Sequence, residues 1–194
     1  MKSTTSRLRI IAGSLKGRRL DAPSWPGLRP TSDKLRETLF NVLAPRMADA
    51  RVLDGYAGTG AVGIEALSRG ARQATFVDED RRAEALIRAN LARCGVTERY
   101  AIIRASVERA LETIAAGGGT DAFDVIFLDP PYALADGRIA AVLAHAGGAL
   151  AGGGVTVLEH ARKKTPPEEA GRLARTRTLV SGDSALSLYE LKPL

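Results

Sequence analysis

From residue 51 to residue 160 the chain alternates between two hydrophobic rhythms. Short apolar runs, RVLD, ATFVD, YAIIRA, FDVIFLD and VTVLEH, have the length and composition of buried strands. Between them, GTGAVGIEALSRG, RRAEALIRANLARCG, VERALETIAA and RIAAVLAHAGGAL place apolar residues three and four apart and read as helices. Gly95 closes the second helix, and the glycines at 117–119 end the third. Strands alternating with helices predict a parallel sheet covered on both faces. The end of the pattern differs, because TRTLV and ALSLYEL flank a turn-like SGDS and read as an antiparallel pair. Upstream, Leu35, Leu39, Val42 and Leu43 share one face of a helix that starts at Ser32 or Asp33 and stops at Pro45. The expected fold is α/β and Rossmann-like, a mostly parallel seven-stranded sheet finished by a C-terminal antiparallel hairpin.

Charge changes the picture at the N-terminus. The net charge is +6, and no acid precedes Asp21, whereas Lys2, Arg7, Arg9, Lys16, Arg18 and Arg19 are basic. RLRIIAG and GRRLDAP read as two short strands joined at GSLKG, a basic hairpin suited to a polyanion such as a nucleic acid backbone. A length of 194 residues suits one domain with a small appendage. The single cysteine, Cys94, excludes an internal disulfide. No apolar run approaches the roughly 20 residues of a membrane helix. The basic N-terminus lacks the apolar core of a signal peptide, so a cytoplasmic location is expected. No Cys/His grouping suggests a metal. His145 and His160 read as structural, and nothing in the chain demands a dimer, so a monomer is expected.

Two stretches hold the candidate chemistry. In VLDGYAGTGAVGIEAL, Gly58, Gly60 and Gly63 form G-x-G-x-x-G directly after a strand, where missing Cβ atoms let backbone approach a ligand. Asp78 ends the next strand, at the edge where a ribose diol can be bound. Dinucleotide enzymes use such a loop, with pyrophosphate on the helix N-terminus. Methyltransferases use a relative, and Asp54 before the glycines suits the amino group and sulfonium of S-adenosylmethionine better than pyrophosphate.

The second stretch is FDVIFLDPPYAL. Asp129 ends a strand that should lie beside RVLD, and Pro130 and Pro131 stiffen the turn that follows. Asp129 and the Pro130 carbonyl can accept hydrogen bonds from one planar amino group while Tyr132 stacks on its ring. Such acceptors stabilise the positive charge that grows on an exocyclic amine as it attacks a methyl group. A target base has to be unpaired or extruded to reach them.

These residues together resemble class I S-adenosylmethionine-dependent methyltransferases with a D-P-P-Y motif. More narrowly, RIIAGSLKGRRL, GLRPTSDKLRETLFNVL, LDGYAGTGAVGIEALSRGA and DPPY resemble the RsmD family, bacterial enzymes that methylate a guanine N2 amine in small-subunit rRNA. RPTSDKLRETLFN is the most specific of these stretches. The resemblance implies Asp54, Gly58, Gly60 and Asp78 around the cofactor, with Asp129 reaching it as well. Two positions depart from the family: Gly55-Tyr56 differs from the usual first motif but keeps an aromatic at Tyr56, and Ala105-Ser106 stands where many relatives place an acid or amide near the adenine, which leaves Ser106 to hydrogen-bond there. It implies Asp129, Pro130, Pro131 and Tyr132 at the target base, with Arg29, Pro30, Thr31, Arg36 and Asn41 bordering the site. Arg29 and Arg36 are open to phosphate, cofactor carboxylate or solvent. The hairpin cations Arg7, Arg9, Lys16, Arg18 and Arg19 are expected on 16S rRNA, within a part of the chain, residues 1–30, distinct from a methyltransferase domain at 31–194. The expected activity is guanine-N2 methylation in an assembled or partly assembled 30S particle. Rivals are another nucleic acid amine methyltransferase, such as one for adenine N6, and a non-catalytic RNA-binding protein on the same fold.

Overall fold

A computed structural model describes residues 8–25, 33–118 and 122–193. Helix α1 (Asp33–Leu43) leads into strand β1 (Arg51–Gly55), and the chain then alternates α2 (Ala61–Ser68), β2 (Gln73–Asp78), α3 (Arg81–Arg93), β3 (Tyr100–Arg104), α4 (Val107–Ala116), β4 (Phe123–Leu128), α5 (Asp136–Ala149) and β5 (Leu150–Ala161). Strands β6 (Glu169–Ala170), β7 (Leu173–Ser181) and β8 (Ser184–Leu191) complete one sheet of order β3-β2-β1-β4-β5-β8-β7-β6. The first five strands are parallel, and β8 pairs antiparallel with both β5 and β7. The α/β class and the closing hairpin are as expected. The strand count is not, because the two-residue β6 adds an eighth. A strand that short has no hydrophobic rhythm to betray it.

Two cores flank the sheet. On one face Val52, Val125, Phe127, Val155, Val157 and Leu186 pack with Leu35, Leu39, Phe40 and Leu43 of α1. On the other, Leu53, Ile126, Leu128 and Leu158 pack with residues of α4 and α5. The strand order reverses between β1 and β4, whose neighbouring C-terminal ends open a crevice, the usual ligand position in such sheets.

The N-terminal hairpin is narrow. Among the described residues its ladder is the single bridge Arg9↔Arg19, extended by Ile10 N–H to Arg18 O and Leu20 N–H to Leu8 O, both 2.9 Å. It does not stand apart from the sheet domain, since Leu8, Ile10 and Leu20 are buried in one cluster with Ile64, Phe76 and Ile87. Its turn docks on the C-terminal end of α2, where Ser14 N–H donates to Ser68 O (2.8 Å). A Cβ on Gly13 would fall 1.9 Å from that carbonyl oxygen, so only glycine fits.

Candidate active site

The glycine loop is held by two carboxylates. Helix α2 starts at Gly60, a left-handed residue (φ 74°) with no side chain to cap the exposed N–H groups. Asp54 does that work from the end of β1, its Oδ2 accepting from Gly63 N–H at 2.8 Å. Asp78 spans the next gap, accepting from Gly58 N–H and Asp80 N–H, both at 2.9 Å. Asp78 therefore braces the loop through both of its carboxylate oxygens. Asp80 in turn caps α3 through Arg82 N–H. The third glycine is there for packing: a Cβ on Gly63 would sit 2.3 Å from Cε1 of Phe76.

Asp54 is 2% exposed, and its pKa is raised to about 8. Burial is the main cause; the negative charges of Asp129 and Asp78 add to it, and the Gly63 hydrogen bond opposes it. A cation is what three acids at one crevice lack, so this donor set fits the amino group and sulfonium of S-adenosylmethionine and would repel a pyrophosphate. Tyr56 is left-handed (φ 61°), uncommon for an aromatic residue. Its ring packs at the core edge, and its buried hydroxyl has no hydrogen-bond partner among the described residues. Burial, then Glu108, pushes that phenol's pKa up. Ser106 caps α4 through Arg109 N–H (3.3 Å).

Asp129 follows β4 directly, and its N–H donates to Gly55 O (3.3 Å), which ties the reacting turn to β1. Pro130 is buried, whereas Pro131 and Tyr132 are exposed, and Leu134 N–H closes the turn on Pro131 O (2.8 Å). Tyr132 is 51% exposed, with its hydroxyl 3.0 Å from Ser184 Oγ at the start of β8. Its face is available for stacking while its far end is fixed. A shallow hollow beside it is bordered by Pro130, Pro131, Glu159, His160 and Lys164. His160 Nε2 lies 2.9 Å from Ser187 Oγ, and burial lowers its pKa, so the imidazole is a neutral structural group.

The cations are scattered. Arg36 is fully buried, with NH2 donating to Arg9 O (2.9 Å) and Asp33 Oδ1 (2.6 Å). Its NH1 lies 3.9 Å from Glu65 Oε2. It is thus a clamp between α1, the hairpin and α2, and the expectation of an RNA contact there is corrected by its burial. Arg9, Lys16, Arg18, Arg19 and Asn41 are exposed. Lys16 lies in the hairpin turn at the far end of α2 from the crevice, whereas Asp21 returns to the crevice side, its N–H donating to Asn90 (2.7 Å), which also binds Thr59 O (2.9 Å). Arg7, Arg29, Pro30 and Thr31 lie outside the described residues. Among the described residues no group of three or more His, Cys, Asp or Glu could hold a metal, and no helix is long and apolar enough to cross a membrane.

Sequence reasoning missed Glu65. It is fully buried and accepts from Ile11 N–H (2.7 Å), Ala12 N–H (2.9 Å) and Arg69 Nε (2.8 Å). The one available signal was an acid inside the otherwise apolar AVGIEAL.

The family model described as conserved hypothetical protein 95, the RsmD family, matches residues 8–190. The chain belongs to this family. YlbH of Bacillus subtilis (strain 168), provisionally named as an rRNA methyltransferase, is 38% identical over 94% of the chain and 98% of its own length. Ribosomal RNA small subunit methyltransferase D of Escherichia coli (strain K12) is 43% identical over 67% of the chain and 63% of its own length. A solved structure of a hypothetical protein from Thermus thermophilus superposes with a TM-score of 0.80 at 33% identity, covering 94% of this chain and 99% of that one. A solved structure of a protein provisionally described as a methyltransferase from Escherichia coli superposes with a TM-score of 0.77 at 35% identity, covering 95% of this chain and 97% of that one, so the RsmD-family chain has a methyltransferase fold.

Proposed function

We propose that this protein transfers a methyl group from S-adenosylmethionine to the exocyclic N2 amine of a guanine in 16S rRNA. The reading includes an assembled or partly assembled small subunit as substrate, in the cytoplasm. It rests chiefly on one juxtaposition: the Asp129–Pro130–Pro131–Tyr132 turn is tied by backbone to β1, whose Asp54 and glycine loop suit the cofactor. The names of the Bacillus and Escherichia relatives support rRNA as the substrate.

When bound, the cofactor supplies an electrophilic methyl group. Asp129 and the Pro130 carbonyl accept the two N–H bonds of the amine, which draws its lone pair out of the ring and aims it at that methyl. As the N–C bond forms and the S–C bond breaks, Asp129 offsets the positive charge on nitrogen. The methylated amine then sheds one proton to solvent. Tyr132 holds the extruded base by stacking. Exposed Arg9, Arg18 and Arg19, with Lys16 at the remote turn, grip RNA backbone away from the reacting base.

The test offers labelled S-adenosylmethionine and the purified protein to naked small-subunit rRNA and to undermethylated subunits, followed by nucleoside analysis. N2-methylguanosine is expected, with the subunit as the better substrate. Label in adenosine would move the reading to adenine N6. No label despite cofactor binding would leave a non-catalytic RNA-binding protein.

A further inference from the structure

Strands β1, β2 and β4 each end in or at an acid that serves the site, and β5 carries a fourth at the same edge, Glu159. Glu159 is 5% exposed. Its direction follows from the sheet. It sits opposite Leu186, which packs in the core beneath α1 together with Val155 and Val157. Asp129 is in phase with Phe127 of that same core, and Asp54 is paired with Phe127. The register Phe127↔Val157 and Leu128↔Leu158, carried one residue further, sets Asp129 beside Glu159. Neighbouring strands lie about 4.8 Å apart. Two carboxyl groups on one face therefore stand side by side at the reacting edge, and Glu159 also borders the hollow next to Pro130 and Tyr132.

Resting on the proposed guanine reading, we infer that Glu159 reads the base: its carboxylate accepts the guanine N1–H while Asp129 and the Pro130 carbonyl hold the adjacent N2 amine. Guanine presents N1–H and N2–H₂ as neighbouring donors on one edge, which matches two acceptors on adjacent strands. Adenine places a lone pair at N1, and a carboxylate in low-dielectric surroundings repels it. Glu159 thus selects the base, whereas Asp129 serves the chemistry.

The experiment uses reconstituted small subunits in which the target guanosine is retained or replaced by 2-aminopurine riboside. That analogue keeps the N2 amine but has an acceptor at N1. Wild-type protein should methylate guanine at least tenfold faster in kcat/KM than 2-aminopurine. In Glu159→Gln the amide can donate to the analogue's N1, so the guanine preference should contract by about tenfold or more. A merely structural Glu159 would depress both substrates alike and leave the ratio unchanged, and that result overturns the inference. Equal wild-type rates on the two bases overturn it without any variant. Should the Gln variant not fold, Glu159→Asp, which keeps the charge, should lower guanine kcat/KM severalfold while retaining the preference; unaltered guanine kcat/KM would overturn the inference too. Binding of S-adenosylmethionine reports folding in each variant. Absence of N2-methylguanosine from the wild-type reaction would instead sink the guanine reading itself.

Discussion

Replacing Asp54 by Asn removes a carboxyl group that the cofactor-free protein holds largely protonated at neutral pH. With its pKa raised to about 8, about 0.9 of the molecules hold that proton at pH 7. A cation set beside the carboxylate favours the charged form and drives the proton off. Binding of S-adenosylmethionine at pH 7 should therefore release up to about 0.9 proton from this residue. Affinity should rise with pH, by up to about tenfold per unit, and level off above the free-protein value of about 8. Calorimetry in two buffers of different ionisation enthalpy measures the release directly. The cofactor's own amino group titrates in both proteins, so the difference between wild type and Asp54→Asn isolates Asp54. Stability of the cofactor-free protein has the opposite slope. A raised carboxyl pKa adds stability that is fully present below the unfolded value near 4 and is lost as pH rises through about 8. Asp54→Asn should flatten that fall in thermal melts. Equal proton release by the two proteins would refute the account of a buried acid awaiting a cation.

Asp129→Ala should lower methyl transfer by about a thousandfold while RNA affinity holds, read by single-turnover assay and filter binding; equal loss of both counts against a chemical role. Gly63→Ala sets a Cβ against Phe76 and should cost about 1–3 kcal/mol in urea unfolding, with an unchanged midpoint as the contrary result. Glu65→Ala strips the buried acceptor from Ile11 N–H, Ala12 N–H and Arg69 Nε, while Arg36 keeps Asp33, and should cost about 3 kcal/mol in urea unfolding. With Ile11 and Ala12 N–H released, trypsin should cut at Arg18 and Arg19 sooner than in wild type, and equal cutting would refute the tether.

The parallel core was legible because buried strands and amphipathic helices have different periods. Asp54, Asp78 and Asp129 were legible because an acid at the end of an apolar strand has few structural reasons to be there. Glu159 was not singled out, because it lies inside the run VTVLEH and not at its end. Arg36 was misread because a cation within an amphipathic helix looks like solvent-facing charge, and only the three-dimensional meeting of α1, the hairpin and Glu65 shows it enclosed. Gly63 completes a ligand-binding consensus, yet its lack of a side chain serves Phe76. The hairpin's two strands could be read from charge and apolar residues. Its orientation, with Lys16 far from the reacting edge, depends on backbone contacts to Ser68 that leave no mark on local pattern.

Strand β8 follows the other strands in the sequence yet lies inside the sheet, between β5 and β7. During synthesis, therefore, β5 emerges with an unsatisfied edge, and this edge stays open until residues 184–191 leave the ribosome. The interval is long, because β6 and β7 intervene and neither covers β5. A nascent chain halted there offers a naked strand to other chains, the kind of template from which aggregates grow. Ser184, which anchors the Tyr132 hydroxyl, and Ser187, which holds His160, also arrive only then. The reacting turn thus acquires these supports only once β8 has emerged, so a partial product lacking β8 is unsupported where the base would dock.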